Sequence, residues 1–308
     1  MQTIENRRLS KSAKGIIIFS FVYVLLSYFI VGFKTDQLFL VLLINSLFFI
    51  SPQTKKILIV CMPYIIFWVI FDYLKAFPNY NFNKVSIEAL YEAEKNLFGF
   101  LYHGHIITPN EYFAIRNNKI LDVLSGIFYL SWVTVPIFLT IYFLYTKKDE
   151  ALHLPFAFLL VNLIGFAFYY VYPAAPPWYV AKYGFEFIKY TPGNAAGLAR
   201  FDNALGINLF HSMYEKSSNV FAAMPSLHSA YPLVSLYFAL KKRLFRISII
   251  ITLTACGIWF SAVYTAHHYI LDVAGGVLCA VVGTAVYEIL YRKQPLFKKR
   301  INHLLEHL

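Results

Sequence analysis

The sequence predicts an all-α, polytopic transmembrane helix bundle of about eight spans. Three observations predict it. Hydrophobic residues make up 59% of the 308 positions and charged residues only 14%, with a mean hydropathy of +0.57, whereas soluble domains run near a quarter charged. Apolar runs free of Lys, Arg, Asp and Glu recur along nearly the whole chain, the mark of helices that use lipid as solvent. The basic residues gather in short loops of one parity, as membrane topology requires.

The spans expected from apolar length are Gly15–Phe33, Leu38–Ile50, Ile57–Phe71, Val123–Tyr145, Leu152–Val171, Ser226–Leu240, Ile247–Tyr264 and His268–Tyr291. The second is short: its residues rise only ~20 Å against a ~30 Å hydrocarbon core. With a cytoplasmic N-terminus, 17 of the 27 Lys and Arg fall on the inner side, among them Arg7, Arg8, Lys147, Lys148 and Lys241 to Arg243. The other 10, from Lys34 to Lys216, spread over longer outer segments, so both termini are expected to be cytoplasmic. The formal charge of +11 then reflects a basic inner face beside anionic lipid, and no nucleic-acid partner is implied. The first run reads as an uncleaved helix, not a signal peptide. Cys61, Cys256 and Cys279 all lie in spans, with the spacing of neither a disulfide framework nor a zinc site.

Two long outer loops are expected to be structured. The first, Lys75 to Leu121, carries IEALYEAEKNLFGF from Ile87, with apolar residues at helical spacing opposite Glu88, Glu92, Glu94 and Lys95. Its alternatives are an interfacial helix on the membrane and an ordinary amphipathic loop helix. The second, Tyr172 to Pro225, opens on YPAAPPWY, whose prolines end the helix, and continues through the glycine-bearing stretch Gly193 to Gly206. Trp178 and Tyr179 are expected to anchor this loop at the interface.

Chemistry begins in MPSLHSAYP, Met224 to Pro232, where Pro225 suits a first helical position and places Ser226 and His228 in the first turn, beside amides able to hold a phosphate. Forty residues after His228 comes YTAHHYILDVAGG, in which His268 and Asp272 are four apart. On a helix they share a face, so the carboxylate can fix the imidazole tautomer. Because spans six, seven and eight reverse direction twice, His228 and His268 should meet at one outer depth. Asp272, more than a turn inside a span, is a functional candidate by default. Gly276 and Ala280 read as close helix packing. His303 and His307 have metal-pair spacing but lie in a charged tail and read as solvated; no metal site is expected.

The paired motifs resemble those of the type 2 phosphatidic acid phosphatase superfamily. Pro225-Ser226-Leu227-His228 stands for its Pro-Ser-Gly-His motif, and Ser261, His268 and Asp272 match its last motif, with Ala262 in place of the arginine. The first, lysine-bearing motif is not recognisable. APPWY at Ala175, GLARFD at Gly197, MPSLHS at Met224 and HHYILD at His267 together resemble the inositol phosphorylceramide synthase branch.

The resemblance implies a six-helix phosphatase-like core and a division into N-terminal helices with the first outer loop (1–121) and a catalytic core (122–308). It further implies a metal-independent, cofactor-free lipid phosphotransferase. His268 would be the nucleophile that forms a phosphohistidine, Asp272 its orienting carboxylate, and His228 the acid and then the base. Ser226, Arg200, Lys182 and His267 are the candidate phosphate contacts, though Arg200 equally suits an ion pair with Asp202. The implied donor is phosphatidylinositol and the acceptor ceramide; whether an accessory subunit takes part is open. The alternatives are a lipid phosphate phosphatase and a sphingomyelin-synthase-like transferase with another head group. The expected location is a bacterial cytoplasmic membrane, or the Golgi in a eukaryote, with the site on the periplasmic or lumenal face.

Overall fold

A computed structural model describes residues 11–215, 219–306 and 308; Arg7, Arg8, Lys216 and His307 lie outside the described residues. The chain is an all-α membrane bundle. Its long helices are α1 (Lys11–Val31), α2 (Thr35–Phe49) and α3 (Pro52–Tyr73), then, after a first loop, α6 (Lys119–Thr146), α7 (His153–Val171), α11 (Leu227–Lys241), α12 (Phe245–Tyr264) and α13 (Ile270–Lys293). The first loop holds α4 (Glu88–Phe98), α5 (Pro109–Ile115) and a small antiparallel hairpin, β1 (Phe100–Tyr102) with β2 (His105–Ile107), which the all-α reading did not foresee. The second loop holds α8 (Pro177–Tyr183), α9 (Ala199–Leu205) and α10 (Leu209–Glu215), and α14 (Pro295–Glu306) follows α13.

Among the described residues six helices, α1, α3, α6, α7, α12 and α13, are long and apolar enough to cross a membrane. The other two expected spans are shorter: α2 and α11 have 15 residues each, which rise only ~22 Å. For α11 the shortness has a structural use. It is the central helix, packed by α6, α7, α12 and α13, with Ala230, Val234, Phe238 and Ala239 fully buried. Because it stops short, the space beyond its first turn is bounded by the neighbouring helix ends and the second loop. With α3 packed on α6 and α7, these form the six-helix core, while α1 and α2 lie outside it with apolar faces such as Phe21 and Phe29 exposed.

Local chemistry sets the helix starts. Ser51 caps α3 by accepting from the Thr54 amide, followed by Pro52 at a position with no amide to satisfy. Pro136 inside α6 removes the amide that would bond the Trp132 carbonyl, and the Tyr64 hydroxyl donates to the Pro136 carbonyl at 3.1 Å, tying α3 to α6 at this point. At the end of the bundle holding the C-termini of α11 and α13, Lys241 meets Glu288 at 2.7 Å, and Lys242 meets Asp149 at 2.6 Å and Glu150 at 3.1 Å. The opposite ends of α11 and α13 touch through backbone. Gly276 lies against the Ser226 carbonyl so closely that any Cβ there would overlap it, as the small-residue pattern predicted.

Replacing Gly276 with alanine gains about 1 kcal/mol of helix propensity, yet the new methyl must displace backbone, an overpacking cost of about 1–3 kcal/mol or more. The expected outcome is a lower thermal midpoint in detergent for Gly276→Ala and a larger drop for Gly276→Val, with activity falling in the same order.

Candidate active site

The candidate site stands where α11 and α13 begin. Ser226 is the N-cap of α11, so the helix starts at Leu227 and Pro225 lies before the cap, not at the first helical position that the sequence suggested. The Ser226 amide donates to the Asp272 carbonyl at 2.9 Å, and its hydroxyl accepts from Ser229 at 3.0 Å. Ser226 is fully buried in this joint and is absent from the cavity wall. The joint places His228, two residues further on, beside the start of α13.

His268 reaches Asp272 by a different route from the one expected. It sits ahead of α13, whose N-cap is Tyr269, so the pair is not on one regular helical face. Asp272 is the third helical residue and accepts the Tyr269 amide at 2.8 Å through Oδ2; the same oxygen lies 3.6 Å from His268 Nδ1. Catalytic hydrogen bonds are often this long before substrate binds. The backbone of His268 is fixed on both sides: its amide donates to the Ala262 carbonyl at 3.0 Å, and its carbonyl accepts from Asn110 Nδ2 at 2.9 Å. Ala262, standing where the related motif has arginine, is fully buried against apolar neighbours such as Leu198 and Phe201.

The two imidazoles face each other with ring centroids 5.7 Å apart. His228 is held by aromatic neighbours: the Tyr129 hydroxyl is 3.4 Å from Nδ1, and Trp132 meets the ring edge-on at 5.0 Å. Both histidines line a cavity of about 430 Å³, the size of a small-molecule site. Apolar and aromatic side chains dominate its wall, including Phe67, Trp68 and Phe71 of α3, so the N-terminal helices contribute to the site.

The other candidates fare differently. His267 lines the cavity, but its Nε2 contacts the Ala195 carbonyl at 2.9 Å and its ring stacks on Tyr214 at 4.4 Å. Burial, with the neighbouring His268, pushes its imidazole down to about 3, so it is neutral and offers no cation to a phosphate. Arg200 lies outside the cavity wall and binds Asp122, not Asp202, at 2.6 Å, with its guanidinium 5.0 Å over the Tyr264 ring. Asp202 caps α10 by accepting the amides of Phe210 and His211 at 3.1 and 2.9 Å. Lys182 is exposed over Tyr183 and away from the cavity. Trp178 and Tyr179 are buried in a cluster that the second loop shares with Val85 and Ile87 of the first, with Trp178 on the cavity wall, so they are not lipid-facing anchors. His303 is exposed on α14. Among the described residues no group of three or more His, Cys, Asp or Glu is placed to hold a metal ion.

Sequence reasoning missed the supports. Glu94, read as part of a polar face, turns inward, is fully buried and accepts the amides of Ile270 and Leu271 at 2.9 and 3.1 Å. It thereby caps α13 from another helix, a favourable place for a carboxylate. Burial holds its carboxyl above the usual range. Asn110 bridges the carbonyls of Val263 and His268. Neither has a local signature, because the partners lie more than 150 residues away.

Paired imidazoles, one backed by a buried carboxylate, at the edge of a largely apolar cavity within membrane helices define an integral-membrane enzyme of the phosphotransferase type. The chain belongs to the PAP2 superfamily, whose family model matches residues 101–286, and within it to the inositol phosphorylceramide synthase branch. It is 44% identical over 282 residues to the phosphoinositol dihydroceramide synthase of Bacteroides thetaiotaomicron, covering 90% of this chain and 92% of that protein. It is 31% identical to the inositol phosphorylceramide synthase catalytic subunit of Saccharomyces cerevisiae, over 76% of this chain and 57% of that one. Against the inositol phosphorylceramide synthase of Candida albicans it is 28% identical, over 82% of this chain and 52% of the other. No solved structure matches it. The Bacteroides match covers so much of the chain that the likeness extends into the N-terminal third, where the motifs gave only general hydrophobicity.

His267 generates a pH prediction. An unfolded imidazole titrates near 6.5 and the folded one at about 3, so between these values the unfolded chain binds the extra proton and stability rises with pH. The contribution is complete above the unfolded value and is lost as pH falls toward the folded one. Thermal midpoints measured from pH 7 down to pH 4 should fall, and His267→Gln should flatten that slope.

Proposed function

We propose that the chain transfers inositol phosphate from phosphatidylinositol to ceramide through a phosphohistidine on His268. The observation that carries the mechanism is the 5.7 Å separation of two imidazoles beside one cavity, with a buried carboxylate behind only one of them. That asymmetry assigns the roles. Asp272 faces Nδ1 of His268, which leaves Nε2 to attack phosphorus, and the carboxylate stabilises the charge the ring acquires. His228 protonates the departing diacylglycerol oxygen. It then removes the proton of the ceramide primary hydroxyl as that oxygen attacks the phosphohistidine, so acid and base are the same ring in successive steps. The largely apolar wall favours a lipid alcohol over water as acceptor, and no step calls for a metal. The similarity to the Bacteroides synthase over nearly both full lengths supports the choice of inositol phosphate and a ceramide-type acceptor.

In this reading the site faces the extracytoplasmic side and both termini are cytoplasmic, in a bacterial cytoplasmic membrane. The basic clusters around Lys147 and Lys241 support it, since they lie at the bundle end opposite the histidines. The division into 1–121 and 122–308 also belongs to the reading, with Glu94 and Asn110 of the first part bracing the second.

Purified protein supplied with labelled phosphatidylinositol and ceramide should yield inositol phosphorylceramide, and His268→Ala should yield none. His228→Ala should be slower by about 10²–10⁴, the usual worth of a proton-transfer group. Without ceramide, wild-type protein should accumulate acid-labile, alkali-stable label that His268→Ala lacks. Release of free inositol phosphate as the main product when ceramide is present would instead identify a hydrolase.

A further inference from the structure

The cavity has a charged region that the proposed chemistry does not use. Its wall includes Asp36 in the first turn of α2, Asp72 at the end of α3 and Lys75 in the 3-10 turn that follows. Lys75 Nζ lies 2.9 Å, and Lys34 Nζ 3.7 Å, from the same oxygen, Oδ1 of Asp72. The side chains of Asp72 and Lys75 are only 15% and 18% exposed. A file of rings joins this cluster to the histidines: His228 to Trp132 at 5.0 Å, Trp132 to Phe67 at 6.5 Å, and Phe67 to Phe71, the neighbour of Asp72, at 6.1 Å. The cluster and the histidines therefore sit at helix ends on one cavity, with aromatic wall between them.

Charges that are half withdrawn from water at a membrane boundary are costly to keep and mark function. Lys34 lies off the cavity wall, so the set that faces the cavity is two carboxylates and one ammonium. What it offers is carboxylate acceptors interleaved with ammonium donors. Hydroxyl groups each donate and accept, and a ring bearing several of them matches such a set. A choline head group has no donor for the carboxylates, and an ethanolamine ammonium has no acceptor for Lys75, so neither satisfies both halves of the set.

We infer that Asp36, Asp72 and Lys75 form the head-group subsite of the donor lipid and select a polyhydroxyl ring over amino-alcohol and short-polyol head groups, an inference that rests on the transfer reading above. The subsite holds the ring while its phosphate meets His268, so its binding energy acts on donor choice and not on the chemical step.

The test is donor competition. The full chain in proteoliposomes receives ceramide with equimolar phosphatidylinositol, phosphatidylglycerol and phosphatidylethanolamine, and the head-group-bearing ceramides are counted by mass spectrometry. Wild-type protein should favour the inositol product. Lys75→Met and Asp72→Asn should lower the inositol-to-glycerol product ratio at least fivefold, with a raised KM for phosphatidylinositol and little change in kcat. The ratio comes from one preparation, so an inactive fraction cancels, and Asp36→Asn gives an independent third reading. A product ratio unchanged in the variants overturns the subsite while leaving transfer standing; no transferred product from any donor with wild-type protein overturns both.

Discussion

The site depends on one backbone joint, the Ser226 amide donating to the Asp272 carbonyl at 2.9 Å, which exists because Gly276 has no side chain to hold the helices apart. His228 follows Ser226 by two positions and His268 precedes Asp272 by four, so this contact sets the distance between two rings that are forty residues apart in sequence. A reaction that uses one imidazole as nucleophile and the other as proton carrier needs both within reach of a single phosphorus. Holding them there in advance removes orientational entropy from the barrier. The braces follow the same logic. Glu94 fixes the start of α13, Asn110 fixes the His268 carbonyl, and Tyr129 with Trp132 packs the His228 ring.

The central helix explains how a polar site exists inside an apolar bundle. At 15 residues α11 is too short to cross the hydrocarbon core alone, and its neighbours α6, α7, α12 and α13 are all longer. The shortfall becomes the cavity. Its contents are chemically divided: the histidine edge is supplied by α11 and the residues leading into α13, while α3 supplies Phe67, Trp68 and Phe71. Helices in the N-terminal third thus take part in shaping the site, which accords with a similarity to the Bacteroides synthase that spans 90% of the chain.

What the sequence made legible were features with linear signatures. Apolar length gave the six long spans and marked α2 as short, and two reversals of direction sufficed to bring His228 and His268 to one end. The meeting of His268 with Asp272 was foreseen for a reason that proved incomplete, since a helix cap and not a helical face brings them close. Features decided by distant partners were not legible. Arg200 was open between a phosphate and Asp202, and its actual partner, Asp122, lies 78 residues away. Glu94 looked solvated because its neighbours in sequence are polar, yet its partners are amides of α13. Spacing describes a residue's own element; it is silent on which other element that residue will meet.

The distribution of positive charge bears on the kind of phosphate the site suits. Arg200 is neutralised by Asp122, His267 is neutral, Lys182 stands outside, and Ala262 replaces an arginine among apolar side chains. Among the described residues, few fixed cations thus face the histidine pair. A terminal phosphate monoester bears nearly two negative charges at neutral pH and would be poorly held in so apolar a cavity. A phosphodiester bears one, and in the proposed reaction its attack by a neutral imidazole would create a positive ring beside Asp272 as charge grows on phosphorus. On that proposal the cation the transition state requires would be generated by the reaction itself at the place it is needed, which suits exchange between lipid alcohols better than removal of a terminal phosphate.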